Sequence, residues 1–240
     1  MDKFRAFRID EQDGKIVAGF QQITVDDLTE GNVVVRVTHS TINYKDALAA
    51  TGKGRILRRY PLNGGIDLAG VVVSSEDAEF QPGTEVLVNG CGLSETVDGG
   101  YSEYARLDSQ SLVAVPEGMT CAQAMQIGTA GYTAALAIHR MEQNNQTPDL
   151  GPIVVTGATG GVGSIAIDML AGRGYEVVAL TGKVKHTGLV EVPAGTTMKE
   201  VIYDVCGGIL NNRKFKAVQA GGPSGGCLPT EALDAEVDYD

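Results

Sequence analysis

Residues 156–164, TGATGGVGS, are the stretch of this chain best suited to chemistry on a phosphorylated ligand. An apolar run, Ile153–Val155, enters the loop, and Val162, Ile165, Ala166, Met169 and Leu170 follow on one face of a helix. Small residues at Ala158, Gly160 and Gly163 keep an A-x-G-x-x-G spacing. They let the backbone turn sharply, approach a pyrophosphate and pack helix on strand. The helix start adds N–H groups without intrahelical acceptors and the positive end of its dipole. Ala158, Thr159, Gly160, Gly161, Val162 and Gly163 are therefore the candidate diphosphate cradle; the alternative is a glycine turn with no ligand. A second apolar strand, Val177–Leu180, completes a βαβ unit. A ribose with a free 2′-hydroxyl asks for a carboxylate at its end. The chain has Thr181, Gly182 and Lys183 there, a hydroxyl and an ammonium that suit a 2′-phosphate, so NADP is preferred over NAD. The competing reading makes Lys183 a solvated surface lysine.

The elements that position this loop change character along the chain. From 1 to about 118, short alternating segments read as strands: 32–43, 69–76, 84–90, 100–108 and 111–116, broken by turn residues. Five such strands imply a barrel-like domain. From 119 the period becomes helical, with Thr120 as N-cap, and Gly128 and Gly131 imply two helices or a break. Beyond Lys183, TGLVEVPAG alternates like a hairpin, TTMKEVIYDVCGG reads as a capped helix closed by glycines, and KFKAVQAGGPSGG as a strand entering a glycine loop. The acidic end, TEALDAEVDYD, is expected to fray.

Composition narrows the classes of partner. A net charge of −11 argues against nucleic acid, which needs a basic surface. Cys91, Cys121, Cys206 and Cys227 keep no CxxC or Cys/His ligand spacing, so neither a zinc ribbon nor a redox pair is expected. No apolar run approaches about 18 residues, and the N-terminus is too polar for a signal peptide. A cytoplasmic protein without a membrane partner is the expectation.

INYKDALAATGKG, GIDLAG, GTAGYTA and VVTGATGGVGS carry a specific resemblance. Residues 1–183 resemble the zinc-free quinone-oxidoreductase branch of the medium-chain dehydrogenases/reductases, and within it the NADPH-dependent acryloyl-CoA reductases. The resemblance implies an α/β chain with a GroES-like β-barrel domain, then a Rossmann domain. It also implies hydride transfer from NADPH to the β-carbon of an α,β-unsaturated acyl-CoA or related activated alkene, or to a quinone. Zinc members carry a His-Glu pair where this chain has Ile66-Asp67, and isoleucine cannot ligate a metal, so no metal is expected. His39 and His139 lack ligand partners at useful spacing. The family residues matching Asn43 and Tyr44 lie at the nicotinamide and substrate. The Tyr44 hydroxyl could position substrate or deliver the α-carbon proton, against the reading of a half-buried strand-end aromatic. Thr129 matches a residue near the nicotinamide amide. Arg55, Arg58 and Arg59 could meet the phosphates of a CoA ester, or form a solvated basic loop.

The resemblance ends at Lys183, well over a hundred residues short of a full member. A two-strand remnant would leave an unpaired edge and an uncovered face. About 179–240 resembles instead the β-grasp module of the flavoprotein subunit of NADH:quinone oxidoreductases and NAD-reducing hydrogenases. The FMN loop and iron–sulfur cysteines of that subunit are not found in this sequence, so Cys206 and Cys227 are not expected to be cluster ligands. GGPSGG (221–226) reads as a structural turn rather than an anion nest. The chain is thus expected to be a chimera joined within 178–183: a GroES-like domain (1–118), linking helices with a truncated Rossmann unit (119–183), and a β-grasp-like segment (184–240), with strand 177–182 open to either pairing. The expected partners are a small-molecule substrate such as a CoA thioester, and a second copy in a homodimer. The rival readings are a non-catalytic NADP-binding or docking module, and a fragment of a flavoprotein electron-transfer subunit.

Overall fold

The structure is a computed structural model and describes residues 3–180, 184–186, 189–192, 195–219 and 227–236. The chain divides into two compact units, Met1–Thr129 and Ala130–Asp240.

The first unit opens with an antiparallel hairpin of β1 (Phe4–Gln12) and β2 (Lys15–Ile23), in register from Phe4↔Ile23 to Gln12↔Lys15. Its turn residues, Asp13 and Gly14, take φ of 51° and 73°, the paired positive values that a type I′ turn demands. This hairpin is absent from the strands expected above, although Asp-Gly between alternating segments is its ordinary signal. β3 (Val33–His39), α1 (Tyr44–Thr51), β4 (Leu62–Asn63), β5 (Asp67–Ser75), β6 (Glu85–Asn89), β7 (Tyr104–Leu107) and β8 (Val113–Ala114) follow. β4 joins the hairpin in the order β2-β1-β4, and the five expected strands form one sheet, β7-β3-β5-β6-β8. Their alternation buries Val33, Val35, Leu68, Val72, Val86 and Val88 in a common core. α2 (Cys121–Gln143) begins at Thr120, whose hydroxyl accepts from Gln123 N–H at 3.2 Å while Gln123 Oε1 accepts from Thr120 N–H at 2.9 Å. Gly128 interrupts it with φ 50°, ψ −159°, the expected break.

In the second unit, β9 (Ile153–Thr156), α3 (Gly161–Gly172) and β10 (Val177–Leu180) form the βαβ motif. β10 runs parallel to β9, from Val177↔Ile153 to Leu180↔Thr156. Residues 177–180 therefore pair as the second strand of the βαβ motif. β11 (Leu189–Glu191) lies antiparallel on the opposite edge of β9, Leu189 facing Val155 and Glu191 facing Ile153. Of the expected hairpin over 187–195, residues 187, 188, 193 and 194 lie outside the described residues; the described strand, β11, pairs with the open edge of β9, where backbone groups would otherwise lack partners.

The tail also covers a face. α4 (Met198–Glu200) is boxed by Thr197, whose hydroxyl accepts from Glu200 N–H at 3.3 Å and whose N–H donates to Glu200 Oε2 at 2.8 Å. The chain continues through a π turn, Val201–Val205, and stops at Gly207 and Gly208, φ 68° and 85°. Ile202, Val201, Met198, Cys206, Val218 and Leu233 pack with Val154 of β9. Ile153 and Val155, pointing the other way, pack with Ile138, Leu170 and Tyr175. The β-grasp-like segment thus supplies both the edge and the face that a two-strand remnant would lack. β12 (Ala217–Gln219) and β13 (Cys227–Pro229) pair antiparallel; residues 221–226 between them lie outside the described residues. Met198 N–H donates to the Ala235 carbonyl and Lys199 N–H to the Leu233 carbonyl. The described part of the acidic end is therefore bonded to α4 instead of fraying, and 237–240 lie outside the described residues.

Candidate functional site

The glycine loop keeps the geometry its spacing asks for. Gly157 turns with φ 63°. Its carbonyl accepts from Gly160 N–H at 2.9 Å, and the Gly160 carbonyl accepts from Ser164 N–H at 2.9 Å. A Cβ on Gly163 would lie 2.4 Å from the Gly157 oxygen and 2.9 Å from Ala158 Cα, so only glycine fits. Ala158 and Gly163 are buried in the turn, while Thr159, Gly160, Gly161 and Val162 are exposed. The first-turn amides of α3 have no intrahelical acceptor, and the dipole leaves partial positive charge there. The cradle fits an anionic diphosphate. Thr181, Gly182 and Lys183 lie outside the described residues.

The first unit gathers a second constellation around Asp67, the first residue of β5 and fully buried. Its Oδ2 accepts from Thr41 Oγ1 at 2.5 Å, Asn43 Nδ2 at 3.0 Å and Thr129 N–H at 3.1 Å. Its Oδ1 accepts from Asn89 Nδ2 at 2.9 Å and Thr129 Oγ1 at 2.5 Å. The break at Gly128 is what presents the Thr129 amide and hydroxyl together. Substitution is blocked there as well, since a Cβ would meet Thr41 Cγ2 at 2.7 Å. Burial alone would raise the Asp67 carboxyl, but the hydrogen bonds from Thr129, Thr41 and Asn89 outweigh it and hold the group below its ordinary value. A carboxyl depressed in the fold stabilises it above the unfolded value near ~4, and that stability is lost as pH falls through the folded value. Urea melts of the chain between about pH 5 and pH 3 are expected to show this acid loss, and Asp67→Asn to flatten it; an equal slope in both proteins contradicts the assignment.

Asn43 caps α1, donating its N–H to Asp46 Oδ2 at 2.8 Å and its amide to Thr41 Oγ1 at 2.6 Å. The structure therefore brings Asn43 and Thr129 onto one carboxylate. Tyr44 starts α1 and is 80% exposed, which corrects the half-buried strand-end alternative. Ile42 and Asp46, flanking this turn, line a cavity of about 600 Å³ with Phe7, Phe20 and Tyr101. Burial and the nearby Asp46 push the Tyr101 phenol well up, so it stays protonated and donates to the Thr41 carbonyl at 2.8 Å. All three arginines are exposed, but Arg59 alone of them has its guanidinium bonded in the structure, donating Nε to the Thr96 carbonyl at 2.7 Å and Nη2 to Thr29 Oγ1 at 2.6 Å. Arg59 is thus bonded into the barrel. His39 and His139 are exposed, and among the described residues no three His, Cys, Asp or Glu side chains gather as metal ligands. Asp67 is not among the residues that the sequence singles out as a site; an aspartate heading the apolar run LAGVVV was the signal available.

Fold and loop together define the class: a GroES-like domain followed by a truncated Rossmann βαβ unit, with a short β-grasp-like end. Residues 29–117 match the alcohol dehydrogenase GroES-like domain and residues 177–228 the SLBB domain. The chain is 47% identical over 174 residues to the acrylyl-CoA reductase AcuI of Ruegeria pomeroyi, covering 72% of this chain and 53% of the relative. It is 50% identical over 68 residues to the NADP-reducing hydrogenase subunit HndC of Solidesulfovibrio fructosivorans, covering 28% of this chain and 14% of that subunit. Among solved structures, the yhdH oxidoreductase of Salmonella enterica in complex with NADP superposes with a TM-score of 0.71 at 47% identity, over 73% of this chain and 54% of that one. Bacillus subtilis yhfP with NAD bound gives 0.72 at 46%, over 75% and 54%. Most of the chain thus resembles acrylyl-CoA reductases and quinone oxidoreductases, and its end resembles the flavoprotein subunits of hydrogenases and NADH-quinone oxidoreductases. The chain spans 53% to 62% of the length of the first curated oxidoreductase relatives it matches.

Proposed function

We propose that this chain binds NADPH and descends from reductases that transfer hydride, without zinc, to an activated C=C bond such as that of an enoyl-CoA thioester, or to a quinone. The observation that carries the reading is the exposed amide cradle between β9 and α3, closed by a Gly163 that admits no side chain. NADPH, when bound, supplies hydride to the β-carbon. The residues of the chain supply the rest: the loop of 158–163 holds the diphosphate, Thr181–Lys183 take the 2′-phosphate, and Asn43 and Thr129 orient the nicotinamide and substrate. Tyr44, exposed at the start of α1, is assigned the proton for the α-carbon. Arg55 and Arg58 are assigned to a CoA phosphate, with Arg59 reduced to a structural part.

Because the chain spans little more than half of its oxidoreductase relatives, the second reading is an NADP-binding module with no turnover. Calorimetry with NADPH, run beside an acryloyl-CoA assay, separates the two. Binding with turnover supports the reductase, binding alone supports the module, and the absence of binding removes both. Turnover is expected only where a second copy or another partner completes the Rossmann sheet, so sedimentation of the active species checks the homodimer.

A further inference from the structure

We propose that Asp67 is a positioning residue, whose carboxylate sets the direction of the Asn43 amide and the Thr129 hydroxyl, and whose fixed charge favours the cationic, oxidised nicotinamide ring on those two side chains. The inference rests on the reading under Proposed function that Asn43 and Thr129 face the nicotinamide.

The geometry is specific. Five donor contacts from four residues converge on two oxygens, two from Thr129 and one each from Thr41, Asn43 and Asn89. All are neutral, and none of the ion pairs among the described residues includes Asp67. A buried carboxylate is ordinarily paired with a cation; here it is held entirely by dipoles, so its charge is solvated but not cancelled. A hydroxyl donating to a carboxylate meets a ligand as an acceptor, which fits Thr129 to a carboxamide N–H. The Thr41 hydroxyl relays the same polarity, donating to Asp67 and accepting from Asn43 Nδ2 at 2.6 Å. The arrangement also explains the backbone: the φ of 50° at Gly128 delivers the Thr129 N–H to Oδ2, a donor that a continuous helix would have kept for itself.

A role confined to folding and one in cofactor electrostatics differ in a measurable ratio. Dissociation constants for NADP⁺ and NADPH are measured on the whole chain and on Asp67→Asn, which keeps the shape and removes the charge. The ratio Kd(NADP⁺)/Kd(NADPH) is expected to rise by about threefold or more in Asp67→Asn, the effect of one unit charge a few ångströms away in a partly wet site. Thr129→Val retains the charge and is expected to weaken both forms alike, leaving the ratio unchanged. If Asp67→Asn does not fold, Asp67→Ser is measured in its place; it is also uncharged and is expected to raise the ratio in the same way. An unchanged ratio in whichever uncharged variant folds overturns the inference while NADPH binding by the wild type stands. A wild type that binds neither form overturns the proposed function and this inference with it.

Discussion

Ile202→Ala is expected to loosen β9 together with the tail, rather than the tail alone. Ile202 is 1% exposed and packs in the cluster that includes Val154. Truncating a buried isoleucine to alanine costs about 2–5 kcal/mol, a large part of the roughly 5–15 kcal/mol that holds an ordinary domain together. The loss should spread because tail and βαβ unit share a strand: β11 bonds to one edge of β9 and β10 to the other. Native-state hydrogen exchange is the direct test. Amides of 153–156 and of 198–206 should lose protection in parallel, and concentrated samples should associate through the freed β9 edge. Full protection at β9 beside an unprotected tail would show that the tail is an appendage, and that the βαβ unit stands without it.

Gly163→Val is expected to lower NADPH affinity at least about tenfold, or ~1.4 kcal/mol, while Thr159→Ala leaves it within about twofold. The two positions differ in what a side chain meets. At Gly163 a Cβ would press on the Gly157 carbonyl at 2.4 Å and on Ala158 Cα at 2.9 Å. Both are backbone atoms, so the turn itself must open and its amides lose their common direction. Overpacking of this kind costs about 1–3 kcal/mol of stability, so a thermal melt accompanies the titration and separates unfolding from lost binding. Thr159 is exposed at the rim, and only its amide is used. Unchanged affinity in folded Gly163→Val would mean that the diphosphate is not held by this loop.

Much was legible because the signals are local. A-x-G-x-x-G between an apolar strand and a helix identified the loop, and strand, turn and helix formed where the pattern placed them. Thr120 announced its helix, and TTMKEVIYDVCGG read as a capped one whose cap the structure places at Thr197, because a hydroxyl three residues before Gln or Glu caps by short-range bonding. Gly128 announced the break in α2, and the five alternating segments became one sheet.

Tertiary structure decided what depends on residues far apart in the chain. Asp67 is an ordinary strand aspartate until Thr41, Asn43, Asn89 and Thr129 arrive from up to 62 positions away and turn five donor contacts onto it. Arg59 resembles its neighbours until Thr29 and Thr96 claim its guanidinium. The pairing of 189–191 likewise could not be read from alternation, because a hairpin strand and an edge-pairing strand share period two. Choice of partner depends on which edge lies open, and β9 left one open. A sequence states which groups a segment can offer; only the fold states which groups are there to meet them.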